Sequence, residues 1–131
     1  MPSHTRQLAE LASSLKFADA PADVQARAKS LILDGLGCGL FGASLEWTHI
    51  LSGVVRRPEP QGGHATIWGR GETASPASAA LVNGTMVQGY ELDDANPATI
   101  HSCAAVLPAA FAAAEHIGTD QVSGERMLNA I

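Results

Sequence analysis

Apolar residues recur along this chain at intervals of three and four, and the polar residues interrupt them in a way that predicts a succession of helices. Leu8, Leu11, Ala12 and Leu15 lie opposite Arg6, Gln7 and Glu10, so residues 3–15 read as an amphipathic helix that buries one stripe. Pro21 suits the first position of a second helix, with Asp23 in its positive first turn. Val24, Ala28, Leu31, Ile32, Gly35 and Leu36 trace its inner face to about residue 41. Residues 46–55 form a shorter helix, which the Pro- and Gly-rich run 58–63 cannot continue. Two brief extended segments around Gly69 and Gly71 then predict at most a small β-hairpin near 65–74.

Helical spacing returns at Ser75-Pro76, where Ala80, Leu81, Gly84, Val87, Gln88 and Glu91 follow one another at three and four, placing Glu91 on the last turn. A carboxylate at that negative helix end is poorly placed for stability, which points to another task. A loop over 93–100 leads to an apolar helix over 104–116, with Pro108 early enough to be tolerated or to kink it slightly, and Gly118 as its stop. Ser123 caps a last helix containing Met127, Leu128 and Ile131.

Composition agrees with a mainly α chain. Its 131 residues suffice for one core, and the 46% hydrophobic content consists mostly of Ala, Leu, Val and Ile with six aromatics, which suits close helix packing. Eight basic residues against thirteen acidic ones, scattered apart from Arg56-Arg57, argue against a nucleic-acid partner. No run approaches the roughly 20 apolar residues of a membrane span, and the N-terminus lacks the pattern of a signal sequence, so a cytoplasmic protein with no membrane partner is expected. Cys38 and Cys103 read as small buried hydrophobes rather than a disulfide.

Residues 37–42 spell G-x-G-x-x-G, but they close a helical pattern instead of following a strand and opening a helix. A dinucleotide loop is therefore rejected. Gly35 and Gly39, four apart, read as a place where another helix approaches closely, and Gly42 as part of the helix end.

The candidate chemistry gathers on one connection: Glu91, Asp93, Asp94 and His101. Histidine serves as acid or base near neutral pH, and a carboxylate beside it orients the ring or raises its basicity. Neighbouring Asp93 and Asp94 point different ways, so one can face a site while the other caps the next helix or structures the loop. The Asp93, Asp94 and His101 spacing matches no diagnostic metal set, two cysteines cannot supply the three ligands of an aconitase-type iron-sulfur cluster, and no cofactor is expected. Cys103, immediately after His101 and Ser102, cannot easily face either, which discounts it as a nucleophile.

The order and spacing of Val82-Asn83-Gly84-Thr85-Met86, Gly89-Tyr90-Glu91-Leu92-Asp93-Asp94, His101, Leu107-Pro108-Ala109-Ala110 and Ala114-Glu115 resemble the MmgE/PrpD family. Asp34-Gly35-Leu36-Gly37, Ala65-Thr66-Ile67-Trp68-Gly69 and Ser123-Gly124-Glu125 extend the resemblance over nearly the whole chain. It implies that residues 1–131 are the N-terminal part of an all-helical domain, completed in the family by later helices and a smaller α/β lid. The implied activity is that of a lyase or epimerase acting on a small di- or tricarboxylate, such as 2-methylcitrate dehydratase, cis-aconitate decarboxylase or iminodisuccinate epimerase. The resemblance further implies a homodimer and additional lysine and histidine residues from later sequence. A helical interaction module without catalysis, completed by a partner chain, is the alternative. Two departures stand out. Ser102-Cys103 replaces the Pro-Ser or Pro-Gly that commonly follows the histidine, and Glu91 stands where some decarboxylases carry Asp.

Overall fold

The computed structural model describes residues 3–58, 63–97 and 101–131. In chain order these form α1 (His4–Ser14), a 3-10 turn at Phe17–Asp19, α2 (Ala22–Gly42), α3 (Glu46–Arg56), β1 (Ala65–Ile67), β2 (Glu72–Ala74), α4 (Pro76–Val87), α5 (Ser102–Ile117) and α6 (Gly124–Ala130). The chain is thus mainly α with one small antiparallel hairpin, as its periodicity predicts. The hairpin pairs Ala65 with Ala74, Thr66 with Thr73 and Ile67 with Glu72. Gly69 and Gly71, both at φ +66°, make the turn that residues with a Cβ rarely adopt.

Capping follows the local sequence. Ser3, Ser75 and Ser123 each accept a hydrogen bond from the backbone N–H three residues on, and Gly118, at φ +114°, ends α5. Pro21 caps α2 from outside instead of forming its first residue. Pro108 lies in the second turn of α5, deeper than expected, because α5 begins at Ser102.

α4 is the centre of the packing, with α2 and α5 on its flanks and the hairpin across α4 and α5. Ile67, Ala79, Val82, Met86 and Leu107 are essentially without solvent contact. Asn83 locks the hairpin down: its Nδ2 donates to the Thr66 carbonyl at 2.8 Å and its Oδ1 accepts from the Trp68 N–H at 3.0 Å. Both hairpin groups are thereby satisfied away from water.

Glycines set how near the helices come. A Cβ at Gly35 would stand 2.7 Å from Leu107 Cδ2, and one at Gly39 2.9 Å from the Trp68 ring, so both positions allow the close approach read from their spacing. Gly42 does more than end α2, since a Cβ there would lie 2.1 Å from the Met86 carbonyl oxygen of α4. Pro108 has no N–H for the Ala104 carbonyl. That oxygen faces Gly84, where a Cβ would sit 2.6 Å away.

Three expectations are corrected. α1 buries none of its residues: Leu8, Leu11 and Leu15 are more than half exposed, since α1 packs extensively on no other described element. Of the inner face of α2 only Gly35 is fully buried, with Gly39 and Gly42 after it, while Leu36 is half-buried and Val24 is 50% exposed. In α4 the buried face is Ala79, Val82, Asn83, Met86 and Val87, so of the predicted stripe only Val87 is buried, whereas Ala80, Leu81, Gly84 and Gln88 line an open groove. An almost uniformly apolar helix leaves its periodicity unable to choose between these faces.

A polar network ties the hairpin to α2 and α3. Arg70 Nη1 donates to the Ala43 carbonyl at 3.1 Å and lies 3.0 Å from His49 Nδ1, while Nη2 reaches Glu72 at 3.2 Å. The Ser52 hydroxyl donates to Glu72 at 2.7 Å, and Arg56 lies 3.6 Å from the same carboxylate oxygen. The Ser52 hydrogen bond, foremost, holds the Glu72 carboxyl below the usual glutamate range; Arg70 and Arg56 add to it while burial opposes. A carboxyl with a lowered folded pKa stabilises the fold above the unfolded value of roughly 4.3 and loses that contribution as pH falls through the folded value. The gap in urea midpoint between the parent chain and Glu72→Gln is therefore expected to be widest near neutrality and to close on acidification. A gap independent of pH would contradict this account.

Candidate active site

The site is built where α4 ends and α5 begins. α4 stops at Val87, and Gln88 accepts from the Glu91 N–H at 2.9 Å as the chain turns away. Glu91 is therefore not on the last turn of α4. It sits beyond the helix, exposed, at φ +53°, a conformation uncommon for a residue with a side chain, so the helix-dipole argument for it falls away.

Asp93 and Asp94 divide their work as neighbours pointing different ways. Asp93 is completely buried in its side chain, and its Oδ1 lies 3.1 Å from His101 Nδ1, with the imidazole 14% exposed. An ionised carboxylate only accepts, so Nδ1 carries the hydrogen and Nε2 is the nitrogen left for chemistry. Asp93 Oδ2 is buried without a hydrogen-bond partner among the described residues. Asp94 Oδ1 instead accepts from the Cys103 N–H at 2.7 Å, capping the first turn of α5 from the preceding loop. Asn96 Nδ2 donates to the Ser102 hydroxyl at 2.9 Å. His101 occupies the N-cap position of α5 with its ring turned to Asp93 rather than to the helix backbone.

The imidazole forms part of an open groove of about 360 Å³ between α4 and α5, together with Gly84, Thr85 and Gln88. The close approach of Gly84 to the Ala104 carbonyl makes its floor. None of the described groove residues is a cation apart from what His101 becomes on protonation.

Cys103 is buried, and its thiol is pushed up to about 12, by burial first and then by the Asp94 carboxylate, with Asp93 and Asp34 adding. Burial and the same Asp34 and Asp93 also raise the Cys38 thiol. Both cysteines are free, and neither offers a thiolate near neutral pH. Among the described residues no three His, Cys, Asp or Glu side chains converge as metal ligands, since Asp94 is turned to the α5 backbone. Among them, too, no single helix is long and apolar enough to cross a membrane; only α2 and α3 together, bent by 87°, pass by length and composition.

Thr85 and Gln88, which share the groove with His101, are members of the site that sequence reading did not single out. Gln88 stood within the helical stripe, where polarity on an otherwise apolar face was the available signal.

A helical scaffold here seats a histidine–aspartate pair at a helix junction, the kind of pair that acid/base chemistry can use. The chain belongs to the MmgE/PrpD family: the family's N-terminal domain matches residues 6–131. It is 41% identical over 112 residues to the cis-aconitate decarboxylase-like protein oryM of Aspergillus oryzae, an alignment covering 85% of this chain and 23% of that protein. The cis-aconitate decarboxylase of Aspergillus terreus is likewise 41% identical over the same shares. The human cis-aconitate decarboxylase is 35% identical over 117 residues, covering 88% of this chain and 24% of the relative. The chain spans about a quarter of the length of the curated relatives it matches.

Proposed function

We propose that this chain supplies one wall of the active site of a lyase acting on a small carboxylate, with decarboxylation of a cis-aconitate-like substrate as its reaction. The observation that carries the reading is His101, held through Nδ1 by buried Asp93 at the side of an open groove. Loss of CO2 beside an unsaturated carboxylate leaves an electron pair delocalised onto that carboxylate, and the product forms when a proton is delivered to carbon. His101 is the group placed to handle that proton, with Asp93 fixing its tautomer. The three relatives named for cis-aconitate decarboxylation favour this chemistry over dehydration of 2-methylcitrate or epimerisation of iminodisuccinate.

The second wall comes from further polypeptide. A substrate carrying several carboxylates needs cations opposite it, and the described groove offers none beyond His101. The chain exposes 8254 Å², against roughly 6,500 Å² for a compact monomer of this mass. Leu33, Phe41, Trp47, Ile50 and Tyr90 are among the apolar side chains left bare. Later sequence or a second subunit covering these faces completes the site, and Glu91, exposed beside the groove-bearing junction, is the carboxylate placed to meet it.

Incubating the full gene product separately with cis-aconitate, 2-methylcitrate and iminodisuccinate tests the reaction class. CO2 release from cis-aconitate is the expected result. Water loss from 2-methylcitrate without decarboxylation would overturn the reaction assigned, and no turnover of any of the three would overturn the enzymatic reading.

A further inference from the structure

We infer that Tyr90, clasped between Phe41 and Trp47, is a positioning residue for Glu91, holding the left-handed turn that sets the direction in which the Glu91 carboxylate leaves the chain. The catalytic consequence rests on the proposed function, whereas the structural arm of the test stands without it.

Glu91 is the one non-glycine residue at positive φ among the described residues. A side chain is kept in that conformation where its surroundings over-determine it, and such positions gather at functional sites. The Glu91 N–H donates to the Gln88 carbonyl at 2.9 Å, a bond that closes a turn around Gly89 and Tyr90. It restrains those two central residues and leaves the φ of Glu91 itself unset, so the left-handed conformation needs a further cause.

The turn is packed into the corner where α2 and α3 meet at 87°. A Cβ at Gly89 would lie 2.8 Å from Leu45 Cδ1, so the backbone runs close against the joint between the two helices. The Tyr90 ring then lies between the end of α2 and the start of α3. Its centroid is 5.6 Å from that of Phe41 and 5.5 Å from that of Trp47, at tilts of 55° and 52°, the geometry of favourable aromatic pairs. Downstream, Asp93 is held by the His101 ring and Asp94 by the Cys103 N–H. Residues 91 and 92 are left to redirect the chain from the corner to α5, and Glu91 does so by turning left-handed. Without the clasp residue 90 swings, the turn relaxes to right-handed backbone, and the Cα–Cβ bond of Glu91 points elsewhere.

The test uses the full gene product, with backbone amide exchange over residues 88–92 read by mass spectrometry and CO2 release from cis-aconitate giving kcat. In Tyr90→Ala, exchange of this segment is expected to quicken at least about tenfold while the hairpin keeps the parent's rate, and Phe41→Ala is expected to quicken it as well. Tyr90→Phe, which keeps the ring, is expected to match the parent in both readouts. Turnover is expected to fall about tenfold in Tyr90→Ala. Added to Glu91→Gln, the same substitution is expected to lower kcat less than about twofold, because the carboxylate it would misplace is already gone. Parent-like exchange in Tyr90→Ala would overturn the inference. So would a loss of kcat that is equal with and without Glu91→Gln. Quickened exchange in a protein whose turnover is indifferent to Glu91→Gln would uphold the hold on the turn and remove Glu91 from the chemistry instead.

Discussion

Replacing His101 by alanine in the full gene product is expected to lower turnover at least about 100-fold, the lower range for loss of a positioned general acid or base. The expectation comes from geometry. Nδ1 is committed to Asp93 at 3.1 Å, so the one remaining nitrogen has a defined tautomer at the edge of the groove. The substitution also leaves both oxygens of a buried carboxylate without a partner, which costs roughly 1–3 kcal/mol of stability or more for a charged group. The urea midpoint therefore has to be measured beside the rate. Asp93→Asn serves as companion, because it keeps the shape while removing the acceptor preference that sets the tautomer. A folded His101→Ala protein with unchanged turnover would remove the residue from the mechanism.

The second large effect is on folding. Gly42→Ala is expected to destabilise the chain by about 3 kcal/mol or more, at or beyond the upper end of ordinary overpacking. The new Cβ would lie 2.1 Å from the Met86 carbonyl oxygen and 2.7 Å from the carbonyl carbon and Cα of Met86. Backbone on both sides of the contact cannot be relieved by a rotamer change, so α2 would have to move away from α4. Gly37→Ala is the contrast, because nothing lies within 4 Å of a Cβ there and the exchange removes glycine from a helix interior. That variant is expected to gain up to about 1 kcal/mol. Equal urea midpoints for the two would show that α2 and α4 do not meet as described.

Local chemistry was the legible part of this protein. Ser123 was readable as a cap because a hydroxyl satisfies an N–H that the helix cannot, and Gly118 as an end because its φ of +114° suits a residue without Cβ; Ser3 and Ser75, where helical spacing begins, cap in the same way. The opposed duties of Asp93 and Asp94 were also within reach, since adjacent side chains diverge. Which of them would hold the histidine was not, because that depends on how the loop is closed against α5 and on nothing in the order of two identical residues.

Placement of faces was the part that failed. Glu91 has helical spacing from Gly84 and Gln88, yet α4 ends four residues earlier and the chain turns through a left-handed conformation. The leucine stripe of α1 has correct amphipathic spacing, yet among the described residues it is left exposed. Along α4, periodicity marked Ala80, Leu81, Gly84, Val87 and Gln88, while the core took Ala79, Val82, Asn83, Met86 and Val87, so that Val87 alone is common to both.

By itself the amino-acid order determined the succession of helices, some of their ends, the small hairpin and the residues worth testing, since propensity, capping and turn geometry act over a few residues. Only the tertiary structure decided which side of α4 became core, that Asp93 and not Asp94 holds the His101 ring, and that Gly42 marks a backbone contact rather than a mere helix end. Those outcomes depend on contacts between residues far apart in the chain, where the volume of a neighbouring helix or the reach of a single carboxylate selects among faces that the local sequence leaves equivalent.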